Sequence, residues 1–165
     1  MFIVDNFLPD ALLDGLDDDP TIKMIRNNGI KWWDGVTEGN RVHEIINYCR
    51  DQFHVEGMCG FEYWFNVTEN GAGPWHVDRD EGADVLVPAD WSCILYVIPH
   101  QIWGGFLEIE CGDETRTEIE RISPRFNRCV VLDNGVWHRV SRVWSGQRYA
   151  LLINGWKQAP STAKT

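Results

Sequence analysis

The most constraining feature of the chain is a succession of short apolar segments that begins after Phe53 and is divided by glycine, proline, asparagine and aspartate. Most are rich in β-branched and aromatic residues, which favours strands over helices. One of them, SCILYVI, is apolar throughout and predicts a strand buried on both faces. The segments are GFEYWFNV, SCILYVI, GGFLEIE, NRCVVLD, WHRVSRV and QRYALLINGW. Many short strands divided by turns predict a sheet sandwich or jelly roll.

The residues before these segments predict helices that pack outside the sheets. FIVDNFLPDALLDGL is typical of a short strand, a turn and a short helix with Pro9 at its first position. Residues 41–53 carry the strongest helical pattern, with one apolar stripe formed by Val42, Ile45, Ile46, Cys49 and Phe53. We therefore expect a mainly β fold with flanking helices.

The length of 165 residues predicts a single domain. No internal repeat, low-complexity segment or linker divides the sequence. We expect residues 1–56 to form a helical and strand support, residues from about 57 to 157 to form the jelly-roll core, and residues 158–165 to be a loose tail.

The charge of the chain argues against some classes of partner, and its cysteine content indicates a compartment. The chain has 25 acidic against 15 basic residues and a net charge of −10, which opposes binding to nucleic acid and to anionic membrane surfaces. The five cysteines are odd in number and form no C-x-x-C pair, as expected for reduced thiols in a cytoplasmic protein. The sequence shows neither the basic start of a signal peptide nor an apolar run of membrane-spanning length.

The stretch GPWHVDRDE holds a candidate metal site. His76 and Asp78 are two residues apart, so in an extended strand both side chains point to one face. With His138, from DNGVWHRV, they would form two imidazoles and one carboxylate, a set that binds Fe(II) and leaves coordination positions open. Manganese and zinc fit such ligands as well. A surface charge patch and a half-buried strand histidine are the ordinary alternatives for these residues.

Arg148 stands in an otherwise apolar strand segment, ten residues after His138. A guanidinium there would be partly buried and would need an anionic partner. Its planar fork suits a carboxylate, so a dicarboxylate could chelate the metal at one end and meet Arg148 at the other. An arginine at a strand edge, paired with one of the many acids, is the alternative.

From about Phe61 to Trp156 the chain resembles Fe(II)/2-oxoglutarate-dependent oxygenases of the prolyl-4-hydroxylase-like branch. The pieces that carry the resemblance are HVD, ILYVIPHQIWGGFLEIE and WHRVSRVWSGQRYALLINGW, in the family's order, and FIVDNFLP is similar to the usual opening of such domains. The resemblance implies a double-stranded β-helix, the cupin-like jelly roll. It also implies Fe(II), 2-oxoglutarate as co-substrate, O2, and ascorbate as a candidate reductant.

The resemblance also implies roles for individual residues. His76, Asp78 and His138 match the catalytic iron ligands, Arg148 matches the residue that pairs with the distal carboxylate of 2-oxoglutarate, and Tyr96 matches the tyrosine that helps to hold it. A plain core tyrosine is the alternative for Tyr96.

Other positions are matched less specifically. Asn66 stands near the position of a polar side chain at the chelating end of 2-oxoglutarate, with Tyr63 and Trp64 as alternatives. Trp75 and Trp137, which flank metal-ligand candidates, are expected to wall the pocket. Residues 79–92 predict either a lid over the substrate site or a surface loop.

Two departures from the family pattern narrow its implications. Ala150 replaces a serine common in relatives, which leaves Tyr96 as the helper of Arg148. Asn154 occupies the position of a second arginine found in the nucleic-acid repair branch, which argues against nucleic-acid demethylation.

The predicted function is therefore hydroxylation of a C–H bond in a peptidyl residue, such as proline, or in a small metabolite, with release of succinate and CO2. The alternatives are a cupin-like metal enzyme that does not use 2-oxoglutarate and a non-catalytic metal-binding jelly-roll module.

Overall fold

A computed structural model describes residues 1–26, 29–37, 39–113 and 116–164. Within these ranges the chain forms eleven strands and three α-helices. The helices are α1 (Asp10–Leu13), α2 (Pro20–Ile25) and α3 (Arg41–Phe53). The strands are β1 (Phe2–Asp5), β2 (Lys31–Trp33), β3 (Gly60–Glu69), β4 (Trp91–Leu95), β5 (Trp103–Gly104), β6 (Leu107–Asp113), β7 (Arg116–Ile122), β8 (Arg128–Leu132), β9 (His138–Val140), β10 (Val143–Ser145) and β11 (Gln147–Trp156).

A six-stranded antiparallel sheet in the order β1-β8-β4-β11-β3-β2 forms the main layer. Successive side chains of its strands point to opposite faces. In β11, Leu151 and Ile153 join the core beneath α3, while Ala150 and Leu152 join the core inside the jelly roll. Burial on both faces explains why this segment is apolar almost throughout.

The second layer is a small antiparallel sheet in the order β7-β6-β9, and a short β5–β10 pair stands beside it. An isolated bridge between His76 and His138 adds the chain around residue 76 to the β9 edge. Leu107 and Ile109 of β6 point inward and pack with Ile94 and Leu152 of the main sheet. The predicted mainly β fold with flanking helices is confirmed.

Helix α3 covers the outer face of the main sheet and spans the predicted residues 41–53. Four residues of its apolar stripe, Val42, Ile45, Ile46 and Cys49, are fully buried. Asn40 caps its first turn and exchanges hydrogen bonds with His43, which forms a capping box. The ring of His43 also stacks on Trp33 and contacts the Tyr63 hydroxyl, so this histidine is a packing residue.

The acidic run before Pro20 begins helix α2. The Asp19 side chain accepts hydrogen bonds from the backbone nitrogens of Thr21 and Ile22, and Pro20 takes the first position of α2. This N-cap satisfies amides that the helix leaves open, so Asp19 initiates α2.

The C-terminal segment is not the loose tail that we expected. Residues Ser161–Lys164 form a 3₁₀ turn. The backbone nitrogen and the hydroxyl of Ser161 donate to Asp80, and the Thr162 hydroxyl donates to Glu62. These acceptors lie far away in sequence, which is why composition alone gave no sign of docking. Thr165 lies outside the described residues.

All five cysteines are free thiols; Cys49, Cys93 and Cys129 are buried, and Cys59 and Cys111 are exposed. Among the described residues, no helix has the length and apolar character needed to cross a bilayer.

Candidate active site

The isolated bridge between His76 and His138 brings His76, Asp78 and His138 together at the β9 edge of the small sheet. The backbone nitrogen of each histidine donates to the carbonyl of the other, at 3.0 and 2.9 Å. Each Nε2 atom lies 3.9 Å from Oδ1 of Asp78. The three side chains offer one ligand atom each, all within 4.8 Å of one another.

Both imidazoles are held in the orientation that a metal ligand needs. Nδ1 of His76 lies 3.0 Å from the Pro74 carbonyl, and Nδ1 of His138 lies 3.1 Å from the Val136 carbonyl. A carbonyl only accepts, so each Nδ1 carries the proton and each Nε2 presents a lone pair. Carbonyl partners of this kind orient the histidines of metal sites.

The Nε2 atom of His138 is buried and has no hydrogen-bond partner in the part of the chain that the structure describes. Buried polar atoms are nearly always paired, so an orphan needs an explanation. Burial lowers the pKa of His138 more than the Asp78 carboxylate raises it, which keeps the imidazole neutral. A neutral, oriented and unpartnered Nε2 beside a carboxylate fits a bound divalent metal ion.

Asn154 holds the carboxylate of this cluster, a role that no motif in the sequence predicted. When the amide nitrogen of Asn154 faces Asp78, that nitrogen lies 3.2 Å from Oδ2 of Asp78 and 2.8 Å from the Ser92 hydroxyl oxygen. Asn154 is buried and is the only polar side chain from Ala150 to Trp156. That isolation in an apolar strand was the available signal. Asn154 leaves Oδ1 of Asp78 facing the histidines.

Arg148 is the second unusual group, since its side chain is buried in the jelly roll with 1% exposure. It donates from Nε to the Gly105 carbonyl at 3.1 Å and from Nη2 to the Tyr96 hydroxyl at 2.9 Å. Within the described ranges, no carboxylate lies within 4.0 Å of the guanidinium. The ion pair that we considered as an alternative for Arg148 is thus not found there.

Gly105 allows the chain to approach Arg148 this closely. It has φ of +69°, and a Cβ atom there would lie 3.2 Å from Cδ of Arg148 and 3.1 Å from side-chain carbons of Ile102 and Val143. Tyr96 is fully buried, and its ring lies 5.0 Å from the guanidinium carbon. The two polar groups expected to hold a carboxylate therefore meet in the core.

The alternation of side chains along β3 shows which of the three candidates, Asn66, Trp64 and Tyr63, face the interior. Asn66 is paired with Ala150, on the interior face of the main sheet, and accepts a hydrogen bond from Thr68 at 2.8 Å. Trp64 lies on the same face, packed against the interior core. Tyr63 lies on the opposite face and contacts His43 beneath α3, so it is excluded from the site.

A surface pocket of about 150 Å³, the mouth, opens beside His76 and is lined by Trp75, Val77, Arg79, Glu81, Leu86 and Trp137. The side chain of His76 is 43% exposed on this side. The chain from residue 79 folds back through a bridge between Arg79 and Pro88, which brings Leu86 to the pocket. The metal-ligand cluster is therefore reachable from solvent between two tryptophans.

Comparison with known protein families identifies the chain. The sequence profile described as the 2OG-Fe(II) oxygenase superfamily matches residues 63–157. The chain belongs to this superfamily. It is a 2-oxoglutarate-dependent iron dioxygenase with a double-stranded β-helix fold. Fe(II), 2-oxoglutarate and O2 are the cofactor and co-substrates that the superfamily implies. The oriented histidines and the orphaned Nε2 of His138 fit that metal.

Solved structures agree on the fold. A prolyl-4-hydroxylase from Pseudomonas putida is 20% identical, with a TM-score of 0.67, and the match covers 97% of this chain and 86% of that one. A collagen prolyl hydroxylase from Paramecium Bursaria Chlorella virus-1 is 17% identical, with coverages of 93% and 94% and a TM-score of 0.61.

A third structure contains a bound peptide. It is a prolyl hydroxylase from Trichoplax adhaerens in complex with a hypoxia inducible factor oxygen degradation domain peptide, 16% identical, with coverages of 94% and 83% and a TM-score of 0.62. At these identities the similarity shows the fold alone. No functionally curated protein matches the chain.

Proposed function

We propose that this oxygenase hydroxylates a C–H bond of a peptidyl residue, such as proline, with Fe(II) held by His76, Asp78 and His138. The single observation that supports this site best is the orphaned, buried Nε2 of His138 beside the Asp78 carboxylate. When bound, Fe(II) and 2-oxoglutarate activate O2, so that one oxygen atom enters the substrate C–H bond and the other enters succinate as CO2 is released.

Arg148 and Tyr96 would bind the distal carboxylate of 2-oxoglutarate. The buried guanidinium, which has no carboxylate partner among the described residues, supplies the charge, and the Tyr96 hydroxyl beside it supplies a second donor. Asn66, on the interior face of the same sheet, is proposed as the polar group at the chelating end. Asn154 would keep the Asp78 carboxylate turned toward the metal.

A peptide is the substrate class that the mouth favours. The pocket opens directly to solvent and its walls are aromatic and aliphatic, formed by Trp75, Trp137 and Leu86. Its volume of about 150 Å³ suits one side chain of a polypeptide that passes across the surface. The prolyl hydroxylases with this fold, one of them solved with a peptide, support the same class.

Ascorbate is proposed as the reductant that restores Fe(II). The cytoplasm is proposed as the compartment, because all five cysteines are free and three are buried in the core. Family membership supports the oxygenase over a cupin-like enzyme without 2-oxoglutarate and over a non-catalytic module.

The test begins with purified protein, Fe(II) and 2-oxoglutarate under anaerobic conditions. A weak visible charge-transfer band is expected for the wild type and should be missing in His138→Ala. After O2 is admitted, succinate is measured with proline-containing peptides and with free amino acids, and mass spectrometry locates any added oxygen. Metal binding without a band or succinate contradicts the proposed use of 2-oxoglutarate. Oxygen added only to free amino acids contradicts the peptide substrate.

A further inference from the structure

The outer face of the small sheet carries a row of alternating aromatic, basic and acidic side chains that the proposed chemistry does not use. Adjacent residues of a strand point to opposite faces, so Arg139 faces outward while His138 faces the metal site. Arg139 pairs in register with Glu108 of β6, and Glu108 pairs with Arg121 of β7. The Arg139 guanidinium also lies over the Trp75 ring, 4.7 Å from its centroid.

A groove of about 370 Å³ lies along this row; we call it the outer groove, and its main walls are Trp103, Phe106, Arg121, Arg139, Arg142 and Trp144. Trp103 and Trp144 are 71% and 56% exposed, and their rings are 6.0 Å apart. Large exposed aromatic surfaces mark interaction sites, and tryptophan and arginine dominate binding energy at such sites.

The two tryptophans are held in place by backbone structure. They lie on β5 and β10, which pair through Gly104 and Val143. Gly104 has φ of +86°, and a Cβ atom there would lie 2.1 Å from the Arg142 carbonyl and 2.9 Å from the Trp144 ring. Only glycine permits this approach, so the aromatic wall is formed before any partner binds.

The groove is positively charged although the chain is acidic. Glu108 is 1% exposed, while its two partners reach outward with side chains 67% (Arg121) and 35% (Arg139) exposed. Arg142 stacks on Trp144 at 4.7 Å, and among the described residues no carboxylate lies within 4.0 Å of it. Three guanidiniums therefore surround one buried carboxylate, in a chain whose net charge is −10.

We propose that the outer groove binds an acidic segment of the polypeptide substrate, next to the residue that enters the mouth. This rests on the proposed function, because Trp75 lines the mouth and stacks on Arg139, which lines the groove. Substrate carboxylates would pair with Arg142 and Arg139, and an apolar substrate side chain would lie between Trp103 and Trp144.

The charge pattern favours a peptide over a nucleic acid. One or two carboxylates match the surplus of two guanidiniums in the groove. A nucleic acid would bring a phosphate with every nucleotide along a surface whose overall charge repels it.

The test is fluorescence anisotropy of a labelled peptide of glutamate, leucine and proline, in the absence of Fe(II) and 2-oxoglutarate. A matched peptide has glutamine in place of glutamate. We expect the glutamate peptide to bind at least about tenfold more tightly than the glutamine peptide. Arg142→Glu and Trp144→Ala should each weaken its binding by about tenfold or more. Lys157→Glu makes the same charge change outside the groove and should leave the affinity unchanged.

Several results would overturn the inference. The first two are equal affinities for the glutamate and glutamine peptides and an affinity for the glutamate peptide that Arg142→Glu leaves unchanged. The third is tighter binding of single-stranded DNA than of the glutamate peptide. The fourth is a dimer, seen by sedimentation, that dissociates in Arg142→Glu. Because the binding assay contains no metal, its result does not depend on whether the proposed reaction takes place. Groove binding without succinate formation would refute the proposed function alone. Succinate formation with proline peptides but no charge-dependent binding would refute the groove alone.

Discussion

Arg148 and Glu108 are buried to the same extent, each with 1% exposure, and they lie on opposite sides of the small sheet. Glu108 faces outward and receives hydrogen bonds from Arg121 and Arg139, at 2.8 and 2.7 Å. Arg148 faces the interior and, in the part of the chain that the structure describes, donates only to neutral groups, the Tyr96 hydroxyl and the Gly105 carbonyl. A fully buried charge that the chain pairs with its own residues is part of the scaffold. A charge left without an opposite charge is available to a ligand.

Two histidines also differ in whether the chain supplies a partner for a polar atom. His43 and His138 are both largely shielded from solvent, but Nε2 of His43 meets the Tyr63 hydroxyl at 2.9 Å, whereas Nε2 of His138 has no partner among the described residues. Unsatisfied buried groups are costly to a folded protein, so an orphaned Nε2 within a cluster that could hold a metal ion is a functional signature.

Removing a metal ligand should have the largest effect. His138→Ala takes away the one buried imidazole of the cluster, so Fe(II) binding and succinate formation should fall by at least about 100-fold. Binding is measured by metal titration and turnover by succinate release. His54→Asn is the matched control, because His54 has a left-handed backbone that asparagine tolerates and lies outside the cluster. Equal losses in both variants would contradict the assignment.

Replacement of Arg148 should have the second-largest effect. Arg148→Leu deletes the buried guanidinium proposed to bind the distal carboxylate, so the affinity for 2-oxoglutarate should fall by about 2 kcal/mol or more, about 30-fold. The affinity is read from the anaerobic charge-transfer band. Arg148→Lys keeps the charge and should recover part of the loss, whereas an unchanged affinity in Arg148→Leu would separate Arg148 from the co-substrate.

Removing the paired anion should affect stability and leave 2-oxoglutarate binding unchanged. Burial favours the neutral form of Glu108, but the hydrogen bonds from Arg139 and Arg121 outweigh it and lower the pKa below the ordinary 4.5. Because Arg121 and Arg139 are partly exposed, we expect Glu108→Gln to lower the free energy of unfolding by only about 1–2 kcal/mol near neutral pH, measured by denaturant titration.

The pH dependence of that difference follows from its sign. A carboxyl whose pKa is lowered by folding stabilises the protein above its unfolded pKa and loses this contribution as pH falls through the folded pKa. The gap between wild type and Glu108→Gln should therefore narrow below about pH 4.5. A gap that is constant with pH would show that charge pairing is not its cause.

The smallest effect is expected at Tyr96. Tyr96→Phe removes one hydroxyl from the proposed carboxylate site and leaves the ring that packs against the Arg148 guanidinium. The loss of one hydrogen bond should weaken 2-oxoglutarate by about 1 kcal/mol, about fivefold, with metal affinity unchanged. Loss of metal binding instead would point to a structural role.

The periodicity of apolar residues within a short segment was enough to predict α3 and most of the strands. The two-residue spacing of His76 and Asp78 was enough to predict that their side chains lie together. Family resemblance supplied the double-stranded β-helix and the pairing of Tyr96 with Arg148. The role of Asn154 and the docking of Ser161 on Asp80 were missed. Both depend on partners more than 60 residues away, which no local pattern encodes.

Thermal unfolding of anaerobic Fe(II)-loaded wild type, Arg148→Leu and Glu108→Gln, with and without 2-oxoglutarate, tests the comparison of the two buried charges most directly. A ligand that binds only the folded state raises its stability. We expect 2-oxoglutarate to stabilise the wild type and Glu108→Gln but not Arg148→Leu. Without 2-oxoglutarate, Arg148→Leu should lose less stability than Glu108→Gln, because removing an unpaired buried charge offsets its lost hydrogen bonds. The opposite pattern, with Arg148→Leu the less stable variant and still stabilised by 2-oxoglutarate, would show that Arg148 belongs to the scaffold.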